Sequence, residues 1–354
     1  MTEAPSAATP TGPRVGFILA GVQKCGTSSL FDMLSAHPQI AESKSKELHY
    51  FDRDNRGWDS INYRKYERQF NWQPTSVIGA ESTPNYVFWP GAMERIRAYN
   101  SAIRIALTFR DPIDRAFSHW SMAKQRDKSE PDFTEAVRIS RATRWPRTAA
   151  EQSAVPYSFL SRGYYGQQLT RLRELFPDDQ LLYMDYKAVF ADSHGALDRI
   201  TDFLGLDRFE TYPEESALRQ WTEPIRGLAP TAPDIALLAG LFAQDLRTFS
   251  ELSGIDVSEW PTTRIVAGTL DPAEYATKLG EKAGLATTPQ AIKKERHRVA
   301  AKALKATRKA ARKAAEVEAA SAPSPGGESP IGEQPTVDET GGVDRPDAPA
   351  PTSV

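Results

Sequence analysis

Val15-Gly-Phe-Ile-Leu-Ala-Gly21-Val-Gln-Lys24-Cys-Gly26-Thr-Ser-Ser29 is the stretch whose reading decides the fold. Its first six residues are mostly apolar and rich in β-formers, the signature of a buried strand. A glycine-punctuated turn follows, and then Thr27 to Ala36 sets Leu30, Phe31 and Leu34 on one helical face. His37-Pro38 closes that helix, because the residue before a proline avoids the helical region. A strand, a loop and a helix in this order build an anion site. Successive backbone N–H groups and the helix N-terminus attract negative charge, glycines let the backbone come close, and Thr27, Ser28 and Ser29 add hydroxyl donors. Lys24 supplies the positive charge of the loop. The plain alternative is a glycine-rich connection capped by Thr or Ser; a position directly after the first strand favours the anion site. In the Walker pattern G-x-x-x-x-G-K-[ST], the lysine and the adjacent hydroxyl serve a triphosphate and its magnesium ion. Gly21 and Gly26 keep that spacing, but Thr27 stands where the lysine belongs and Lys24 sits mid-loop. There it can meet a reacting group without a metal.

Further along, strand and helix signals alternate. Ser76–Gly79, Ile103–Phe109 and Gln180–Met184 read as strands; Pro90–Tyr99, Pro112–Arg126, Tyr164–Phe176, Gly195–Leu204 and Asp234–Ser253 read as helices. Such alternation implies an α/β, P-loop-like three-layer domain, a central parallel sheet flanked by helices. The pattern places this domain at residues 14–265, after a disordered arm at 1–13 and before a linker at 266–290. Residues 291–320 are rich in Ala, Lys and Arg with few large aliphatics, giving a basic, solvated helix. From 321 to 354 Pro, Gly, Ser and acidic residues dominate, the composition of a disordered acidic tail.

Composition narrows the setting. A formal net charge of −2 gives no overall pull toward nucleic acid or an anionic membrane. Cys25 is the single cysteine, so neither an intrachain disulfide nor a multi-cysteine metal site can form. With no signal-peptide pattern and no run long enough to span a bilayer, the expected location is cytoplasmic.

A second anchor follows the strand ending at Phe109: Arg110-Asp-Pro-Ile-Asp-Arg-Ala-Phe-Ser118-His-Trp. Asp111 is a good N-cap, Pro112 suits the first helical position, and Asp114 completes a box-like contact. Arg110 then stands at the carboxyl end of a strand, where open α/β sheets bind ligands. A guanidinium fork with a serine hydroxyl nearby matches a phosphate. The alternative is an arginine paired with Asp111 or Asp114 in a surface turn.

Together these segments resemble the sulfotransferases that use 3′-phosphoadenosine 5′-phosphosulfate (PAPS), in particular the carbohydrate-type branch and its bacterial relatives. The loop Gln23 to Ser29 is similar to the 5′-phosphosulfate loop of that family, and Arg110 to Ser118 to its 3′-phosphate motif. The resemblance runs from about Arg14 to Trp260, including Arg162-Gly-Tyr-Tyr165 and Asp256-Val-Ser-Glu-Trp260. It implies that Lys24, Gly26, Thr27, Ser28 and Ser29 surround the phosphosulfate, that Arg110 and Ser118 hold the 3′-phosphate, and that Tyr165, or else Tyr164, approaches the nucleotide. It also implies PAPS as co-substrate, no required metal, and a hydroxyl-bearing acceptor: a sugar, a glycolipid or a small metabolite.

Sulfuryl transfer needs an in-line acceptor, a base for its proton, and positive charge where negative charge gathers. Lys44-Ser-Lys46-Glu47-Leu-His49-Tyr-Phe-Asp52 resembles the family's K-E-x-H-x-F-D stretch, which makes Glu47 the expected base and His49 the competing one. Two departures stand out. Ser82, in Glu81-Ser-Thr-Pro84-Asn-Tyr86, occupies a position where many relatives carry lysine, which argues against a heavily anionic acceptor. Ile225-Arg226-Gly227-Leu228 offers a reversed Arg-Gly pair for the loop that closes over the 3′-phosphate, so Arg226 is carried into the site on that basis. Two other functions compete with transfer: a P-loop kinase, against which the displaced lysine speaks, and a nucleic-acid or membrane-surface binder acting through Lys293–Lys313. That helix lacks aromatic residues for base stacking, so no nucleic-acid partner is expected.

Overall fold

A computed structural model describes residues 15–141, 158–214 and 225–321. The arm expected at 1–13 and the tail expected past Ser321 lie outside the described residues. Five strands form one sheet: β1 (Val15–Gly21), β2 (Ile40–Glu42), β3 (Ile78–Ser82), β4 (Arg104–Phe109) and β5 (Leu181–Asp185). Their order is β2-β3-β1-β4-β5 and every neighbouring pair is parallel. The helices, in chain order, are α1 (Thr27–Leu34), α2 (Arg64–Glu67), α3 (Ala92–Tyr99), α4 (Pro112–Arg126), α5 (Phe133–Arg141) and α6 (Tyr165–Leu175). After them come α7 (Tyr186–Ala191), α8 (Ser193–Leu204), α9 (Ala232–Ser253), α10 (Pro261–Val266), α11 (Pro272–Lys282) and α12 (Pro289–Ser321).

The apolar runs become strands because the sheet is covered on both faces, where continuous hydrophobicity is affordable. Along β1 and β4, Val15, Ile18, Ala20, Ile105, Leu107 and Phe109 enter one core with residues of α3, α6 and α9. Phe17, Leu19 and Ala106 turn to the opposite core, with Leu30 and Leu34 of α1 and Leu197 and Ile200 of α8. A third core, without strands, joins Ile113 and Trp120 of α4, Phe133 of α5, Ile235 of α9 and Leu279 of α11. Asp111 caps α4 by accepting from the amides of Ile113 at 2.9 Å and Asp114 at 3.1 Å, and Pro112 opens the helix. A reciprocal box between Thr231 and Asp234 starts α9.

The stretch 266–290, read from sequence as a linker, holds α11, whose Tyr275 and Leu279 are buried in the third core. The strand of chain before α9 bonds to the chain after α11, with the Ile225 amide donating to the Ala283 carbonyl at 3.0 Å and the Ala286 amide to that of Gly227 at 3.2 Å. The chain forms two compact units, residues 1–298 and 299–354. In the second, the described residues continue α12 to Ser321.

Candidate active site

β1 ends in the middle of the sheet, and its following loop is tied down on the β4 side. The Val22 amide donates to the Thr108 carbonyl at 3.0 Å, and the Thr108 hydroxyl donates to the Cys25 carbonyl at 2.8 Å. Lys24 (φ 76°) and Gly26 (φ 78°) adopt the left-handed conformation that turns the loop back into α1. A Cβ at Gly26 would stand 2.4 Å from the Phe190 ring, so only glycine fits. No side chain caps the first turn of α1. Its amides thus carry the partial positive charge of an open helix N-terminus. Thr27 and Ser29 are buried in that turn, and Ser28 is half-buried.

Lys24 is held against the sulfur of Met122 on α4 at 3.5 Å. Its ammonium is lowered to about 8, first by burial and then by the charges of Arg110, Arg126 and Lys46. The loop lysine and the distant arginine of the sequence therefore share one electropositive region. Arg110 sits directly after β4, its guanidinium 3.4 Å from Asp114 and 5.1 Å from the ring centre of Tyr186. Its Nε is buried without a hydrogen-bond partner. Ser118, two turns along α4, is buried too.

Around the expected base the backbone is unusual: Glu47 (φ 56°) and His49 (φ 49°) are both left-handed, in a conformation that non-glycine residues seldom adopt. His49 Nδ1 lies 2.7 Å from Asp52 and Nε2 lies 3.4 Å from Glu47. Hydrogen bonds to Asp52 and then Glu47 push the imidazole up to about 10, so it is a cation at neutral pH. Glu47 is held below the ordinary carboxylate range, chiefly by its hydrogen bond to His49 against the opposing effect of burial. Burial pushes Asp52 up, but the hydrogen bonds from His49 and from Asn85 (2.6 Å) outweigh it and leave the carboxyl below its usual value. Lys46 donates to the Ser28 hydroxyl and lies 3.9 Å from Glu47.

The remaining expected residues are placed differently from one another. Tyr165 is fully buried between Phe109 and Phe249, and its hydroxyl donates to the Arg110 carbonyl at 2.9 Å, so it stands behind the arginine. Tyr164 is half-buried and packs edge-on against Phe242. Arg226 is exposed, and its charge is felt at Glu295. Ser82 is buried at the end of β3. One basic side chain escaped the reading of the sequence: Lys282, at the end of α11, is exposed, yet its ammonium is lowered, first by partial desolvation and then by the charge of Arg110. The signal was a lysine two residues before Gly284, hidden because α11 reads as linker.

Residues 16–221 match the family described as Sulfotransferase domain. The human heparan sulfate glucosamine 3-O-sulfotransferase 3B1 is 28% identical over 201 residues, covering 55% of this chain and 47% of that protein. The human heparan sulfate glucosamine 3-O-sulfotransferase 5 is 27% identical over 192 residues, covering 53% of each. The chain thus spans about half the length of these curated relatives. A crystallised sulfotransferase from Alicyclobacillus acidocaldarius superposes with a TM-score of 0.57 at 25% identity, covering 70% of this chain and 99% of that one.

Proposed function

This chain belongs to the sulfotransferase domain family, and from that premise we propose that it moves a sulfuryl group from PAPS to a hydroxyl of a carbohydrate, glycolipid or small metabolite, with Glu47 as the base. The observation that carries this reading is the crowding of Lys24, Arg110, Arg126 and Lys46, close enough for the other three to lower Lys24. Although Asp114 and Glu47 partner Arg110 and Lys46, the gathered positive charge still lowers Lys24, which suits a region that receives an anion. The donor, when bound, supplies the sulfuryl group and a phosphate at either end of its sugar. Lys24, Gly26, Thr27, Ser28 and Ser29 hold the phosphosulfate end, and Arg110, Ser118 and Lys282 the 3′-phosphate end. The open amides of α1 and the unsatisfied Nε of Arg110 fit those roles.

Glu47 is favoured over His49 because of what each carries at neutral pH. A cationic imidazole clamped between two carboxylates has no lone pair to accept a proton, whereas an ionised carboxylate does. His49 then positions Glu47, and Asp52 and Asn85 position His49. Tyr165 supports Arg110 from behind. Among the described residues no helix is long and apolar enough to cross a membrane, in keeping with an enzyme that meets a soluble donor.

Calorimetry with 3′,5′-bisphosphoadenosine, followed by incubation with radiolabelled donor and a cell extract, tests the reading. The wild type binds the nucleotide and labels a product. Glu47→Ala keeps the affinity and loses on the order of 10²- to 10⁴-fold in rate, while Lys24→Ala loses both. Normal transfer by both variants would remove the mechanism, and ATP turnover dependent on magnesium would favour the kinase instead.

A further inference from the structure

Lys46 stands between the two halves of the site. On one side its ammonium donates to Ser28, in the first turn of α1 where the phosphosulfate end is held; on the other it lies 3.9 Å from Glu47. Its charge reaches both residues of the transfer chemistry, lowering Lys24 and lowering Glu47. The backbone between the two side chains is left-handed at Glu47, φ 56°. β3 ends in Glu81 and the buried Ser82 and holds neither lysine nor arginine, so that strand contributes no cation.

We infer that Lys46 is a second catalytic cation, taking up the charge that β3 does not provide; this rests on the transfer reading above. As the acceptor oxygen bonds to sulfur and the sulfur–oxygen bond to the 5′-phosphate breaks, the acceptor proton passes to Glu47 and the departing electron pair stays on the phosphate oxygen. Negative charge is greatest on the sulfuryl and bridging oxygens in that step. An ammonium already within reach of Ser28 meets it there. The same ammonium adds to the hydrogen bond from His49 in lowering Glu47, so one lysine assists both acceptance of the proton and dispersal of charge.

The test compares Lys46→Met and Lys46→Arg with the wild type, each first checked for an unchanged melting temperature. Three quantities are read: the affinity for 3′,5′-bisphosphoadenosine by calorimetry, kcat with labelled donor, and the pH profile of kcat/KM. Because bisphosphoadenosine has no sulfuryl group, its affinity stays within about twofold in Lys46→Met. Loss of one donor to developing charge lowers kcat on the order of 10²-fold, and Lys46→Arg recovers at least a tenth of it. Removing the positive charge also raises Glu47, so the acidic limb of the profile moves to higher pH. An unaltered kcat with an unmoved limb overturns the inference. So does a parallel fall in bisphosphoadenosine affinity, which would place Lys46 on the nucleotide alone. If the wild type itself fails to bind bisphosphoadenosine, the transfer reading fails first and this inference with it.

Discussion

At the level of single side chains, Lys24 and Glu47 titrate on opposite sides of neutrality, and together they bound the working pH. Lys24 is lowered to about 8, so its ammonium is lost as the pH rises through that value. Glu47 is lowered from 4.5, so its carboxylate persists into mildly acidic solution. In the free enzyme kcat/KM therefore falls above about pH 8 and holds down to below pH 4.5, as far as the fold survives. Bound donor brings negative charge to Lys24 and raises it, so the alkaline limb of kcat lies higher than that of kcat/KM. A pH–rate profile in which both alkaline limbs coincide near 10 would contradict this. Glu47 as the expected base and His49 as its competitor were visible in the sequence, but the charge carried by His49 was not. That charge depends on Asp52 meeting His49 from 3 residues away while Asn85, 33 residues beyond Asp52, donates to the same carboxylate, and on left-handed backbone that no spacing announces.

Among the elements, α4 organises the site. It begins beside Arg110, carries Ser118 in its middle and sets Met122 against Lys24 one turn later. At about 1.5 Å per residue, the helix fixes the separation between the two anchors. This element was legible to the residue, because a capping Asp, a Pro at the first position and a regular apolar stripe all coincide. β2 was not, since three residues at a sheet edge leave no periodicity to read. α7 also escaped, being six residues that follow β5 without a turn. α11 is the most consequential omission, because it brings Lys282 near Arg110 from outside the segment that matches the family. Lys282→Ala is expected to weaken 3′,5′-bisphosphoadenosine about tenfold, the scale of one charge-assisted hydrogen bond. Adenosine 5′-monophosphate, lacking the 3′-phosphate, should bind the variant and the wild type alike. Equal losses for both ligands by calorimetry would assign Lys282 a structural role only.

For the molecule as a whole, the boundary of the folded catalytic unit matters most. Sequence patterning places it at residue 265, because α11 is short and its neighbours are polar. The buried Tyr275 and Leu279, and the bonds from 225–229 to 283–286, tie that segment into the third core. A chain ending after Arg298 should retain nucleotide affinity and melt as the full chain does. One ending after Val266 should lose several kcal/mol through the core positions emptied at Tyr275, Leu279 and Leu285, at roughly 2–5 kcal/mol for each large side chain removed. Thermal melts of the two truncations decide this, and equal melting points would return the boundary to where the sequence puts it.

The anchoring charges at Lys24 and Arg110 have a further effect once the reaction is over. On the proposed assignment both grip phosphates, and the spent carrier keeps both of its phosphates when the sulfuryl group has gone. Turnover is then expected to run at the pace of exit rather than of bond exchange, and added by-product to slow it in a steady-state assay. Output would then follow removal of the spent nucleotide as closely as it follows supply of the donor.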